Sequence, residues 1–445
     1  MSSRFLLIAA VCVLLAAAGC NGSFVLMPPP AYVSTDGYAR FSDHYFQRVG
    51  ASPEVNIFYA TDRAPAVSDQ EACEYAAARG NQLRLGTARV VIGDADWSMS
   101  ELMARSFDGE KIRVRCQAVD ELGSLYSTIP PTSVPGLTAY YSNNRNDPIR
   151  QGSNDFAALI DQELARTGTS DIYILVTGLS TTFHHGIEHA AALHHYLGHG
   201  GLMLAYPWPT RSTPIAVNKD RLSGRISARA LRELVLFLAE ETQVRRINFI
   251  GYSAGAEVLS LALYQLRLAS SDWPADEIAE RLKIGQVVLA APDIDYTEFR
   301  NMLLDNLVDV AEHFTIYVNA DDKVLRYSHI FSTGAARLGR AQDVVSDVEK
   351  ALYRQEEHLT FIDPSNGEKV LGESDSRGHS YWFENPWVSS DVMIAVTAGL
   401  DPAERGLVRS GTQVAWGFPD DYVERTERLF RRLPQNSELG GQTAR

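Results

Sequence analysis

From residue 172 onward the chain repeats one rhythm. Short apolar β-type runs stand at 172–177, 202–206, 247–250, 287–290, 314–318 and 358–362. They are rich in Val, Ile and Leu and lack clean apolar–polar alternation, as strands covered on both faces do. Helical patterns fill the gaps at 186–197, 227–241, 254–268, 297–310 and 341–353. Strands alternating with helices join through right-handed crossovers. The prediction is an α/β fold, a mostly parallel doubly wound sheet with helices on both faces. Earlier β-type runs at 55–61, 85–92 and 112–119 read as opening strands, an N-terminal β elaboration over about 53–150. The Pro-, Ser- and Asn-rich stretch 127–148 reads as a loop, and 420–432 as a surface helix with a frayed end.

The first residues follow a different pattern. Arg4 gives a short positive start, and residues 5–18 are almost unbroken apolar sequence. Such a run is a secretory leader, too short for a comfortable membrane span. It ends in Leu15-Ala16-Ala17-Ala18-Gly19-Cys20. Small residues directly before a Cys resemble a bacterial lipobox. The resemblance implies cleavage before Cys20, acylation of that residue and anchoring in the bacterial cell envelope, because several acyl chains hold where one does not. The resulting partition is a leader over 1–19, a lipidated tether over 20–52, the α/β domain over 53–400 and a helical tail over 401–445.

Composition narrows the partners. Hydrophobic residues are 45% and charged residues 22%, enough for a core without staples. The formal net charge of −14 disfavours nucleic acid, whose binding draws on Lys and Arg. Of 4 cysteines, Cys12 leaves with the leader and Cys20 carries lipid. Cys73 and Cys116 remain, either as one structural disulfide of an oxidising compartment or as two buried thiols.

In a doubly wound sheet, chemistry gathers at the carboxyl ends of the strands. The run 247–250 ends in Gly251-Tyr252-Ser253-Ala254-Gly255, and a helical pattern starts at once. G-x-S-x-G between a strand and a helix is a nucleophile turn: the flanking glycines avoid clashes, and the hydroxyl projects at a helix N-terminus. A serine nucleophile needs a base, and the base an orienting acid, in the chain order Ser, acid, His. His313 and His358 start or precede strands at the opposite edge, and His329 starts a helical stretch. His379 lies in a loop after the last predicted strand, the position of a base. The run 314–318 ends in Asn319-Ala320-Asp321-Asp322-Lys323. Asp322 is the favoured acid, Asp321 its neighbour and rival. Asp293 and Asp295, one strand earlier, read as helix caps or site-shaping groups. The amides of Ala254 and Leu179 are the expected oxyanion donors. Trp208, in Tyr206-Pro207-Trp208-Pro209-Thr210, lines the acyl pocket or belongs to the core.

Six histidines crowd residues 184–199. His184 and His195 share a helical face but stand about 16 Å apart along it, too far for one ion. A solvated helix is expected there, with no metal and no cofactor.

Several motifs, in this order, resemble one family: Phe58-Tyr59-Ala60-Thr61-Asp62-Arg63, Leu85-Gly86-Thr87-Ala88-Arg89-Val90, Tyr206-Pro207-Trp208-Pro209, the serine turn, Ala290-Ala291-Pro292-Asp293-Ile294-Asp295, residues 317–325, Arg337-Leu338-Gly339 and Gly378-His379-Ser380-Tyr381. They are similar to a bacterial α/β-hydrolase family long labelled a domain of unknown function, over about residues 53–400. The resemblance implies an α/β-hydrolase fold with a Ser253–Asp322–His379 triad. Where that family usually carries His-Gly after the central strand, this chain has Thr177-Gly178. The backbone amides survive that change, while the loop's local hydrogen bonding differs.

The expected activity is hydrolysis of a small-molecule or lipid ester through an acyl-enzyme. The alternatives are acyl transfer from the same intermediate and a non-enzymatic envelope lipoprotein. Cells fed radiolabelled palmitate should label the wild-type chain and not Cys20→Ser. Equal labelling of both rules the lipobox out.

Overall fold

The computed structural model describes residues 24–34, 52–66, 75–127, 148–211, 216–331, 334–343, 345–367, 378–409 and 414–432. Its strands are β1 (Glu54–Pro65), β2 (Tyr75–Ile92), β3 (Val114–Ser127), β4 (Asp171–Val176), β5 (Leu202–Tyr206), β6 (Arg246–Tyr252), β7 (Ile284–Ala290), β8 (His313–Tyr317), β9 (Leu359–Asp363) and β10 (Trp416–Gly417). They form one 10-stranded sheet in the order β10-β9-β8-β7-β6-β4-β5-β1-β2-β3. Neighbours from β10 to β1 run parallel. Only β2 and β3 are antiparallel additions. The α/β expectation holds.

The helices are α1 (Met99–Phe107), α2 (Pro148–Thr167), α3 (Phe183–Tyr196), α4 (Val217–Glu241), α5 (Ala254–Ala269), α6 (Ala275–Leu282), α7 (Tyr296–Leu304), α8 (Lys323–Phe331), α9 (Asp347–Gln355), α10 (Tyr381–Glu384), α11 (Pro386–Ala398) and α12 (Tyr422–Arg432). Their starts follow local chemistry. Ser98 and Glu101 form a capping box on α1, as do Ser346 and Glu349 on α9. Asp295 caps α7, and Asn385 caps α11 with Pro386 in the first turn.

The central strands bury both faces, which is why their sequences do not alternate. Ile172, Ile174 and Val176 enter one core with Phe156, Leu231 and Leu259; Tyr173 and Leu175 enter the other with Ile187, Leu193 and Val392. Burying a Leu- or Ile-sized side chain is worth about 1.5–3 kcal/mol, so these two layers dominate stability.

Several expectations need correction. The histidine-rich segment is not solvated: His189, His194 and His195 of α3 and His199 just beyond it are all buried. Its outer side is covered by α1 and by the segment 24–34. Ser106 Oγ lies 3.1 Å from His195 Nε2, and Tyr196 donates its hydroxyl to the Met27 carbonyl at 3.1 Å. Leu26, Met27 and Tyr32 are buried, so this part of the presumed tether belongs to the folded body. The helix expected at 420–432 is present on the surface as α12, with Glu424, Arg428 and Arg431 exposed; its inner face is packed, since Tyr422, Thr426 and Phe430 are buried and Tyr32 packs against Phe430. The pattern at 297–310 splits, because α7 ends at Leu304 and Asn306 turns left-handed (φ 59°) before a 3-10 turn. At 341–353 a 3-10 turn precedes α9. Helix α4 starts at Val217, ahead of the expected 227. Helices α1, α2, α6, α10 and α11 and strand β10 were not expected, and α8 starts at Lys323, with His329 near its end and not at its start; α11 is apolar almost all round and gives no periodic signal. The predicted loop 127–148, the leader and Cys20 lie almost wholly outside the described residues. Among those described, no helix is long and apolar enough to cross a membrane.

Two buried charges anchor the far edge. Arg405 Nε donates to Asp391 Oδ1 at 2.9 Å, and Tyr317 donates its hydroxyl to Asp391 Oδ2 at 2.6 Å. This ties the stretch after α11 to β8, the strand that leads to Asp322.

Burial pushes the imidazoles down: His189 and His194 to about 4 and His195 to about 3. Between 6.5 and these values the unfolded chain binds more protons than the folded one, so each buried histidine destabilises the fold as pH falls. Asp62, raised by burial to about 6, works in the opposite sense below that pH. A difference measurement separates the two. The stability advantage of wild type over His195→Asn should shrink on going from pH 7 to pH 5, by on the order of 1 kcal/mol per pH unit below 6.5. A gap constant across that range in thermal melts refutes the buried-imidazole account.

Candidate active site

Strand β6 delivers the chain to Ser253, which adopts φ 55°, ψ −122°, and α5 begins at the next residue. A non-glycine residue in this region costs on the order of 1–3 kcal/mol and persists only where its surroundings enforce it. Here the Ser253 amide donates to the Ala290 carbonyl at 3.0 Å, and the Asp293 amide donates to the Ser253 carbonyl at 3.1 Å. The flanking glycines make room. A Cβ on Gly255 would stand 2.3 Å from the Thr177 carbonyl oxygen and 2.4 Å from that of Val176. One on Gly251 would meet Ala256 Cα at 3.0 Å.

The other two residues arrive from the ends of β8 and β9. Beyond β8, Asn319 organises the turn: its Oδ1 accepts from the Asp321 amide at 2.9 Å, and its Nδ2 donates to the Gly378 carbonyl at 3.3 Å. Gly378 takes φ 62°, a left-handed conformation that suits glycine. His379 follows it, and Tyr381 donates its hydroxyl to the Tyr317 carbonyl at 3.1 Å just beyond. His379 Nδ1 stands 2.6 Å from Asp322 Oδ2, and His379 Nε2 stands 2.9 Å from Ser253 Oγ. Asp322 Oδ1 accepts from the Leu325 amide at 2.9 Å. An ionised carboxylate only accepts, so the proton belongs on Nδ1 and Nε2 faces the serine as acceptor. All three side chains are buried. The rival carboxyls lie elsewhere. Asp321 is exposed, and Asp295 caps α7.

Around the serine the structure adds features that sequence reasoning missed. The Tyr252 ring packs at 5.3 Å from His379, 5.3 Å from Trp382 and 6.0 Å from Phe383, forming an aromatic wall beside the nucleophile. Asp293 is buried among charges: Arg337 Nε donates to its Oδ1 at 2.6 Å, and Arg221 Nη2 donates to its Oδ2. Burial alone would raise its carboxyl, but Arg221 and Arg337 hold it below the usual range. Arg221 also pairs with Glu257, in the first turn of α5, at 2.9 Å. The Arg337-Leu338-Gly339 motif was visible in the sequence, but nothing local said which carboxylate its arginine meets.

The proposed oxyanion residues lie on the two segments beside Ser253. Ala254 opens α5, where the helix N-terminus favours negative charge. Leu179 is half-buried in the loop after β4; a Cβ on its neighbour Gly178 would stand 3.3 Å from Ser253 Cβ. Trp208 is core, not pocket: it is fully buried and donates Nε1 to the Thr177 carbonyl at 2.6 Å. Thr177 Oγ1 is buried and has no hydrogen-bond partner among the described residues. Among the described residues no His, Cys, Asp and Glu side chains group as a metal site. Cys116 is half-buried and has no disulfide partner among the described residues, and burial and nearby Glu188 push its thiol up to about 12; Cys73 lies outside the described residues.

A family model described as an alpha/beta hydrolase of unknown function (DUF900) matches residues 153–396, and the chain belongs to that family. No curated protein and no solved structure matches.

Substituting Gly255 by Ala should abolish soluble expression or lower the melting temperature severely, because two backbone oxygens must move and backbone does not yield cheaply. A Gly255→Ala protein with wild-type stability shows that α5 can retreat from β4 and contradicts the contact.

Proposed function

We propose that the chain is a serine hydrolase that cleaves acyl esters through an acyl-enzyme. The observation that carries this reading is the continuous hydrogen-bond chain from Asp322 through His379 to Ser253, on a family fold suited to hydrolysis. Ser253 Oγ attacks the acyl carbonyl carbon while its proton passes to His379 Nε2. Asp322 keeps the imidazole in the right tautomer and stabilises its charged form. The amides of Ala254 and Leu179 take the oxyanion of the tetrahedral intermediate, with the α5 N-terminus adding favourable potential. The intermediate collapses, His379 returns the proton to the leaving alkoxide, and the alcohol departs. Water then attacks the acyl-enzyme by the same steps and frees the acid. The half-buried rings of Tyr252 and Phe383, packed on the buried Trp382, support an apolar acyl or alkyl group as part of the substrate.

A fluorophosphonate probe, which reacts only with an activated serine, should label the wild-type chain at Ser253. Ser253→Ala should take no label, and Asp322→Asn should lose turnover on the order of 10⁴-fold through the wrong tautomer. Label mapped to another residue, or unchanged in Ser253→Ala, overturns the reading.

A further inference from the structure

The motif Phe58-Tyr59-Ala60-Thr61-Asp62-Arg63 ends in an arginine that the hydrolytic steps leave unused. Arg63 is buried at 1% relative exposure, near the carboxyl end of β1. Long-chain cations are rarely buried so completely, because desolvating them costs several kcal/mol unless every donor finds an acceptor. The acceptors are main-chain oxygens on the loops after β4 and β5 and on β2. Nε donates to the Pro207 carbonyl at 3.0 Å, Nη2 to the Thr181 carbonyl at 2.6 Å and Nη1 to the Ala76 carbonyl at 3.3 Å. Desolvation lowers the guanidinium to about 10 even with Asp62 and Asp220 offsetting part of it, so the group stays charged at neutral pH.

The Thr181 carbonyl is the significant contact. Thr181 lies two residues after Leu179, on the loop that passes beside Ser253. Between them Ser180 takes φ 60°, a left-handed conformation unfavourable for a non-glycine residue. A loop holding such a residue relaxes unless it is fixed on its far side. Two donors meet on that carbonyl, Arg63 Nη2 and Thr210 Oγ1 at 3.0 Å. Thr61 Oγ1 joins Arg63 on the Pro207 carbonyl at 2.7 Å, which couples the loop after β5 to the same strand end. A guanidinium fork spans two carbonyls on separate loops at once; a lysine ammonium is a point charge on a flexible stem and does not hold such a geometry.

We propose that Arg63 is a positioning residue that clamps the loop of residues 178–181 so that the Leu179 amide faces the oxyanion. The assignment rests on the hydrolase reading above. It acts through the backbone and touches no reacting atom, so its loss affects the transition state more than ground-state binding. It also gives a physical role to a motif that shares no contact with Ser253, Asp322 or His379.

The test uses the full chain with sites counted by fluorophosphonate titration, so that misfolded molecules drop out of the rate. Arg63→Met and Arg63→Lys are compared with wild type on a soluble p-nitrophenyl ester. For Arg63→Met, kcat per titrated site should fall roughly 10- to 100-fold with KM within about twofold, since losing one oxyanion donor outright costs about 10²–10³. Arg63→Lys should recover less than half of that loss on a logarithmic scale. The inhibition constant of a trifluoromethyl ketone, whose adduct carries the oxyanion, should rise in step with the loss of kcat/KM. A merely structural arginine would lower the melting temperature and the titratable fraction but leave kcat per site unchanged, and that result overturns the proposal. Should Arg63→Met fail to fold, Thr210→Val decides. It removes the second donor to the same carbonyl without touching a buried charge and should lower kcat per site about 3- to 10-fold; an unchanged value also overturns the proposal. A wild-type chain that takes no label at Ser253 removes the hydrolase reading itself, a failure distinguishable from that of Arg63 alone.

Discussion

A serine held at φ 55°, ψ −122° stays there only while both its neighbours and its two backbone hydrogen bonds leave it no alternative. The decisive contact is the approach of α5 to β4, where Gly255 meets the carbonyls of Val176 and Thr177 so closely that no side-chain carbon fits. That contact sets where α5 begins, so it sets the direction of the Ser253 hydroxyl and of the helix N-terminus behind it. Everything else in the site is referred to this position. The imidazole comes within 2.9 Å of a hydroxyl whose backbone is fixed.

The surrounding polar groups then have a common purpose. Asp293 with Arg221 and Arg337, Asp391 with Arg405, and Arg63 with its carbonyls are all buried charges that join segments distant in sequence. Buried pairs of this kind add little net stability, because desolvation offsets the attraction. Their directionality is what matters. Each links segments far apart in sequence in a fixed direction. Asp293 lies against the Ser253 carbonyl, Asp391 beneath β8 and Arg63 under the loop of residues 178–181, so the three border the site from separate sides.

The alternation of strands and helices was legible because it rests on local composition and period. So was the serine turn, since its glycines are required by sterics within five residues. Asp322 and His379 were legible by chain order and by their place after strands, and Asp322 was preferred over Asp321 without any distance in hand. What failed were judgements about the outside of elements. The histidine-rich face of α3 looks polar, yet α1 and residues 24–34 cover it. Residues 24–34 read as part of a tether, yet Tyr32 is buried and packs against Phe430 of α12. Helix α11 was missed because burial on all sides erases amphipathic periodicity.

Local chemistry in the chain therefore determined which residues could form the turn, the strands and the candidate triad. Which surface is inside, which carboxylate an arginine meets and where Trp208 belongs were decided only by tertiary structure. Period and turn chemistry depend on neighbours a few residues away. Burial and pairing depend on segments that reach the same place from opposite ends of the chain.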